Sequence, residues 1–369
     1  MHKNIYWHLL FKVPGLGQQS LGLLFAHFKD GESAWKAEAR DYKEAGLQEK
    51  VIAGILSSRS SFSTEEDEAL FLKEGIDILV APDPIFPNLL KEIPKPPSLI
   101  YTRGTIEEWN KRKYIAIVGS RKYTAYGKQA TEHIAQGLTH AGYTIVSGLA
   151  FGIDRVAHEA ALANGGETVA ILADGLDQAS IAPQSHLRLS DEVRKNGSLL
   201  SEYPPGTQAA PGFFPARNRL IAGLSLGTIV IEAAEKSGSL ITASLSLDFN
   251  REVFAVPGSI FSPASEGTNT LIKNGAKIVR NLSDILEELA PSEGTLSLFE
   301  STENTRDTRD NNLSDEEKKI FALLSSFALP VDEIIKSSHL GASAVSSALT
   351  MLEIKGLANN VGRNHYIKT

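Results

Sequence analysis

Three loops of this chain bring glycine, hydroxyl and guanidinium groups together in patterns that suit phosphate. The first is Tyr114-Ile115-Ala116-Ile117-Val118-Gly119-Ser120-Arg121. Here an apolar strand pattern ends in Gly119, which permits close approach of a ligand to the backbone. Ser120 and the N–H groups at the start of the next helix can take a phosphate. Arg121 adds a permanent charge on a planar donor fork. The turn is not a G-x-G-x-x-G dinucleotide fingerprint, because Gly127 falls too late. The second loop, Ser147-Gly148-Leu149-Ala150-Phe151-Gly152-Ile153-Asp154, repeats the logic of strand, glycine loop and helix. Asp154 reads as a helix cap, and His158 as helical packing. The third runs Pro211-Gly212-Phe213-Phe214-Pro215-Ala216-Arg217-Asn218-Arg219. Guanidinium groups bind phosphates, aromatic rings stack on bases, and Asn can bond base edges; stacking of this kind needs unpaired bases. One of Phe213 and Phe214 is expected in the core and the other at the surface. The plainer readings are ordinary strand-to-helix turns with surface arginines. Two further features are Gly238-Ser239, a helix start with a capping Ser, and Glu232 at a strand end. Glu232 could be catalytic in a hydrolase, although capping a neighbour or holding an Arg is the commoner role.

Positioning such loops on one edge requires a parallel sheet. Residues 112–290 alternate Val/Ile-rich strands with helices: strands at 114–118, 143–146, 168–172, 199–201, 228–231 and 253–256, helices at 125–141, 153–163 and 240–249. This is an α/β, Rossmann-like pattern, with ligands expected at the carboxyl ends of the strands. Upstream, residues 1–81 read as an N-terminal helical domain, with Leu21, Leu24, Phe25 and Phe28 at helical spacing. Its Val13-Pro14-Gly15-Leu16-Gly17 turn either holds a DNA phosphate, as helix-hairpin-helix turns do, or merely links two helices. Residues 82–111 carry six prolines and read as an extended connector. Residues 291–312 are a polar, flexible linker. Residues 313–369 form a winged helix-turn-helix, with helix faces at Ile320/Leu323/Leu324, Val331/Ile334/Ile335 and Val345/Leu349/Leu352/Ile354. Gly356, Gly362 and His365-Tyr366-Ile367 form its β-wing.

Composition narrows the function. The chain has no cysteine, which removes disulfides, thiolate nucleophiles and Cys-ligated zinc. Its nine histidines show no H-E-x-x-H spacing, so no metal or cofactor is expected. A net charge of −7 argues against generic coating of duplex DNA and leaves any nucleic-acid contact to a few clustered cations. No apolar run approaches membrane-spanning length and the N-terminus has no signal-peptide pattern, so a cytoplasmic, membrane-free protein is expected.

The series Gly119-Ser120-Arg121, Ser147–Asp154, Phe214–Arg219 with Leu220–Ser225, Gly238–Ala243, Val256-Pro257-Gly258 and Gly267–Ala276 resembles the DNA-processing protein A family (DprA, also called Smf). Asp83–Pro87 and Pro96–Tyr101 resemble the family's entry into its Rossmann-like domain. The resemblance implies a SAM-like (helix-hairpin-helix-like) N-terminal domain and a C-terminal winged-helix domain. It further implies a non-enzymatic protein that binds and protects single-stranded DNA, loads RecA recombinase in natural transformation, and forms a homodimer through the Rossmann-like domain. The family's pocket residues carry over to Arg121, Phe214, Arg217, Asn218 and Arg219; with Gly119, Ser120, Ser147 and Gly148 from the two glycine loops, these are the expected DNA-binding residues. The chain departs from the family at Gln208-Ala209-Ala210, where relatives carry a lysine, and at Ala182-Pro183, where they often have Tyr-Pro. The stretch 342–350 has no Arg or Lys, which speaks against duplex reading and equally suits a protein contact. Two other readings compete: a phosphoribohydrolase-like nucleotide enzyme, for which the P-G-G-x-G-T-x-x-E run is missing, and a transcription regulator acting through the winged unit.

Overall fold

The alternation of residues along one strand explains how the central layer is built. In Lys113–Val118, Ile115 and Ile117 point to one face while Tyr114, Ala116 and Val118 point to the other, and both sets are buried in separate cores. A strand buried on both faces needs helices on both faces, which is the parallel arrangement. The computed structural model describes residues 2–289, 313–325, 329–360 and 365–368. It divides into two units, 1–290 and 291–369. The predicted linker, 291–312, and Gly362 of the predicted wing lie outside the described residues.

The first unit is organised by a nine-stranded sheet. Its strands are β1 (Asp77–Val80), β2 (Leu99–Gly104), β3 (Lys113–Val118), β4 (Tyr143–Ser147), β5 (Thr168–Leu172), β6 (Gly197–Ser201), β7 (Gly227–Val230), β8 (Glu252–Ala255) and β9 (Lys277–Ile278). They lie in the order β1-β2-β6-β5-β4-β3-β7-β8-β9; β3 through β9 are parallel, while β2 runs antiparallel to β6 and to β1. Every strand expected from sequence is present, with ends displaced by at most two residues. Helices Ala125–His140 and Ile153–Ala163 pack one face through Ile134, Leu138 and Ala157, and helix Phe213–Leu224 packs the other through Leu220, Ile221 and Leu224.

The proline-rich stretch behaves differently from the expected connector. Residues 82–111 contain β2, a strand inside the sheet, and β1 falls within the stretch read as purely helical. All six prolines lie between β1 and β2 and leave Leu99–Gly104 itself free to pair. The N-terminal helices share a core with this edge: Leu10, Leu21, Leu24 and Phe71 cluster with Ile78, Leu99, Tyr101 and Leu199. Gln18 stitches the two, accepting from the N–H groups of Ser98 (2.7 Å) and Leu99 (3.0 Å) and donating to the Leu99 carbonyl (3.0 Å).

The second unit has helices Asp315–Leu323, Val331–Ser338 and Ala342–Ile354, and a three-stranded antiparallel sheet of β10 (Leu329–Pro330), β11 (Ala358–Asn360) and β12 (His365–Lys368) in the order β10-β12-β11. Its core joins Ile320, Leu324, Ile334, Val345, Leu349 and Leu352, as the sequence pattern expects. Ile354, the last of the residues that mark the third helix, is 73% exposed at its end. Among the described residues, no helix is long and apolar enough to cross a membrane.

Candidate nucleic-acid interface

The chain leaves β3 toward β4 on one side and returns to β7 on the other, so the loops after β3 and β7 diverge at the carboxyl edge of the sheet. Such a switch point opens a crevice by construction. Here it encloses about 450 Å³ and gathers Gly119–Arg121 after β3, Ala150 and Asp154 after β4, and Lys236–Ser239 after β7; Phe214, Arg217 and Asn218 of helix Phe213–Leu224 close it. The two glycine loops therefore do line one crevice, as their spacing predicts. They are joined directly by the Ile153 N–H donating to the Ser120 carbonyl (3.1 Å).

The outer wall pairs a cation with a ring. Exposed Arg121 places its guanidinium 5.5 Å from the centroid of half-buried Phe214, close enough for a cation–π contact. Phe213 stacks on Tyr203, with centroids 4.2 Å apart. Both phenylalanines are half-buried, so the expected division into one core and one surface ring does not occur. Lys236, which sequence inspection passed over, also faces the crevice, just before the helix Gly238–Asp248. Its signal was available: a lysine immediately ahead of a glycine helix start. That helix is capped by Ser237, whose hydroxyl accepts from the Ser239 N–H, rather than by Ser239 as expected.

Arg217 is the largest departure. It is 5% exposed, and its Nη1 donates to the carbonyls of Gly148 (2.6 Å) and Ile171. Burial pulls its pKa below the usual guanidinium value, countered by Asp154 and Asp174. Asp154 is itself buried and accepts from the Gly148 N–H (3.1 Å); it braces the loop from within instead of capping its helix, whose cap position is Gly152. Burial pushes the Asp154 carboxyl up, with Arg217 opposing. A Cβ on Gly148 would collide with Arg217 Nη1 and come within 2.7 Å of Asp154 Oδ2, so the glycine serves this packed triad. Gly119 is similar: a Cβ there would lie 2.7 Å from Ile153, so its close approach is to the neighbouring loop.

The remaining predicted residues divide. Ser120 shapes its turn, its hydroxyl donating to the Lys122 carbonyl (2.8 Å) and accepting from the Lys122 N–H (3.0 Å). Ser147 is fully buried, and its hydroxyl donates to the Ile117 carbonyl (2.7 Å), tying β4 to β3. Asn218 reaches the Gly238 carbonyl at 3.4 Å across the crevice. Arg219 does not line the crevice: it pairs with Glu202 and donates to the Lys95 carbonyl (3.1 Å), beside Gly17 and Gln18. A helix turns 100° per residue, so Phe214, Arg217 and Asn218 share a face from which Arg219 is turned away. Glu232 is buried and holds Thr124, the cap residue of the helix after β3, accepting from its N–H (2.9 Å) and hydroxyl (2.5 Å). His158 is buried, with Nδ1 2.7 Å from the Thr168 hydroxyl, a packing role as expected.

The profile of the family described as DNA recombination-mediator protein A matches residues 77–290, which hold the whole sheet and this crevice. The chain belongs to that family. The profile described as DprA winged helix domain matches residues 304–361. Protein Smf of Synechocystis is 34% identical over 97% of this chain and 96% of its own length. The DNA processing protein DprA of Bacillus subtilis is 43% identical over 60% of this chain and 74% of its own. Among solved structures, DNA processing protein A from Streptococcus pneumoniae superposes with a TM-score of 0.68 at 36% identity, covering 78% of this chain and 99% of that one. DNA processing protein A from Helicobacter pylori, described for its single-stranded DNA binding mode, gives 0.53 at 32% identity, covering 58% and 95%. The fold, the winged-helix unit and the role in DNA processing and recombination follow from this membership.

Proposed function

We propose that the crevice grips single-stranded DNA, and that the chain acts as a binder rather than a catalyst. The observation that carries this is the Arg121–Phe214 pair at the mouth of a switch-point crevice, with Lys236 across from it. Cations hold phosphates, and a ring offers a platform that only unpaired bases reach. Arg121, Lys236 and Asn218 contact the strand, Phe214 stacks, and Arg217 positions the Gly148 loop and the helix that carries Phe214. The single-strand binding described for the Helicobacter pylori relative supports the reading. Glu232, the carboxylate that the sequence offers for catalysis, is occupied in accepting from the N–H and hydroxyl of Thr124. As family membership suggests, the protein then passes the strand to RecA, shields incoming DNA in the cytoplasm, and pairs as a homodimer through the sheet-bearing unit.

Fluorescence anisotropy with oligo-dT and an equal-length duplex tests the central claim: oligo-dT binds far more tightly. Equal affinity for both, or release of free base from AMP that disappears in Glu232→Gln, overturns it. Stimulation of RecA strand exchange on coated single strands tests the hand-over.

A further inference from the structure

The glycine turn at 13–17 takes no part in the crevice and opens on a separate cleft of about 450 Å³. Gly15, Gly17, Gln19 and Ser20 line it together with Lys95 and Arg219. Three distant segments meet there: the turn, the proline-rich stretch before β2 and the helix Phe213–Leu224. Its two charged residues are both cations, and no carboxylate lines it. Arg219 is fixed by Glu202 and by the Lys95 carbonyl at 3.1 Å. Lys95 is exposed, and its ammonium has no acidic partner among the described residues. The turn also carries a glycine that the fold itself does not require. Gly15 needs its φ of +89°, but Gly17 has a φ of −95° and a Cβ there would meet nothing within 4 Å. Gly17 precedes the helix Gln18–His27, which no side chain caps and whose first turn holds no acidic residue. The first N–H groups of such a helix have no acceptor within it.

We propose that this cleft is a second DNA contact, in which Lys95 and Arg219 hold a backbone phosphate of the strand after it has left the crevice. The inference rests on the single-strand reading of the crevice. Two free cations' worth of chemistry is not available everywhere in a chain of net charge −7, and here it stands beside open backbone rather than beside carboxylates. Glu202 offsets part of the Arg219 charge, so Lys95 supplies the unneutralised one. The N–H groups at the start of Gln18–His27 add donors suited to an anion. A route joins the two sites. Phe214 lines the crevice, and its neighbour Phe213 stacks on Tyr203, which adjoins Glu202, the partner of Arg219. Phe213 and Tyr203 are both half-buried, so rings continue from the crevice toward the cleft as a surface for unpaired bases. Asn218 and Arg219 stand on different flanks of one helix, roughly 10–12 Å across. A strand must therefore span that width to occupy both sites, and a short one occupies the crevice alone.

The full chain is titrated with two oligo-dT lengths, about 4 and about 16 nucleotides, which bracket the usual site sizes of single-strand grooves. Lys95→Ala is expected to weaken the long oligomer by roughly fivefold or more and to lower its log–log salt slope by about 0.7, with the short oligomer unchanged. Gly17→Asp separates binding from folding. Gly17 sits at the cap position in an extended conformation, where Asp is a favoured residue, so the melting temperature should hold or rise. Its carboxylate would nonetheless oppose a phosphate, so the long oligomer should again bind more weakly and the short one as before. Unchanged affinity and slope for the long oligomer in both variants, or equal losses for long and short, overturns the second contact while leaving the crevice intact. Failure of the wild-type chain to bind either oligomer overturns the single-strand reading and this inference with it.

Discussion

The crevice of the sheet-bearing unit and the third helix of the winged unit are both places where a helix could meet DNA, yet their chemistry differs. In the crevice, cations stand at loop ends beside helix starts and a half-buried ring: Arg121, Lys236 and Phe214. Helix Ala342–Ile354 carries no Arg or Lys and exposes Met351 and Ile354. Lys355, just beyond it, is engaged with Glu317 at 2.8 Å, and Glu317 also serves the capping box of Ser314. Phosphate binding requires charge that internal partners have not neutralised. The contrast supports the proposal that the strand binds in the crevice rather than on the winged unit.

The strongest test separates the two units. A chain ending at Leu289 keeps its complete core, and its affinity for oligo-dT should stay within about twofold of the whole chain, whereas residues 313–369 alone should bind no DNA in a gel shift. A folded truncation that has lost binding reverses the comparison. Next in size, Arg121→Ala with Lys236→Ala should weaken oligo-dT on the order of a hundredfold and reduce the log–log salt slope by about 1.4. Lys336→Ala in the winged unit should change neither number; a matching loss there would erase the contrast.

Phe214→Ala sharpens it further. Stacking releases no counterions, so affinity should fall on the order of tenfold with the salt slope preserved. Phe214 is only half-buried, so the melting temperature should hardly move; a large drop with affinity intact would make the ring structural. The smallest effect concerns Asp174. Burial raises its carboxyl from 3.8 to about 7 in the folded chain. The folded state therefore binds this proton more tightly than the unfolded one, and the contribution of Asp174 to stability declines as pH rises from about 4 to about 7, then levels. Asp174→Asn does not titrate, so its melting temperature should exceed that of the wild type by several degrees at pH 8 and match it near pH 4. An advantage independent of pH would show that the carboxyl is not held neutral by its surroundings.

Much of this was legible in the chain before any coordinates. The βα alternation from 112 to 290, the glycine loops after β3 and β4, and the helix faces of the winged unit are local patterns of burial and turn chemistry, which short windows carry. Helical period alone separates Arg219 from the face shared by Phe214, Arg217 and Asn218, although the cluster of basic residues invites reading them together. Other features depend on residues far apart. β2 is a strand because an edge of β6 was available to pair with it, and β1 because β2 then offers its own outer edge; nothing within residues 77–104 announces the edge of β6. Arg217 is engaged as a brace because packing brought Asp154 and the carbonyls of Gly148 and Ile171 around it. Asp174 became an orphaned acceptor because Ala182 engaged one of its oxygens and packing buried the other without a partner. The sequence by itself determined which elements form and which residues carry charge or a ring. Tertiary structure decided which of those charges are spent internally, because desolvation and pairing depend on neighbours that the order of residues does not name.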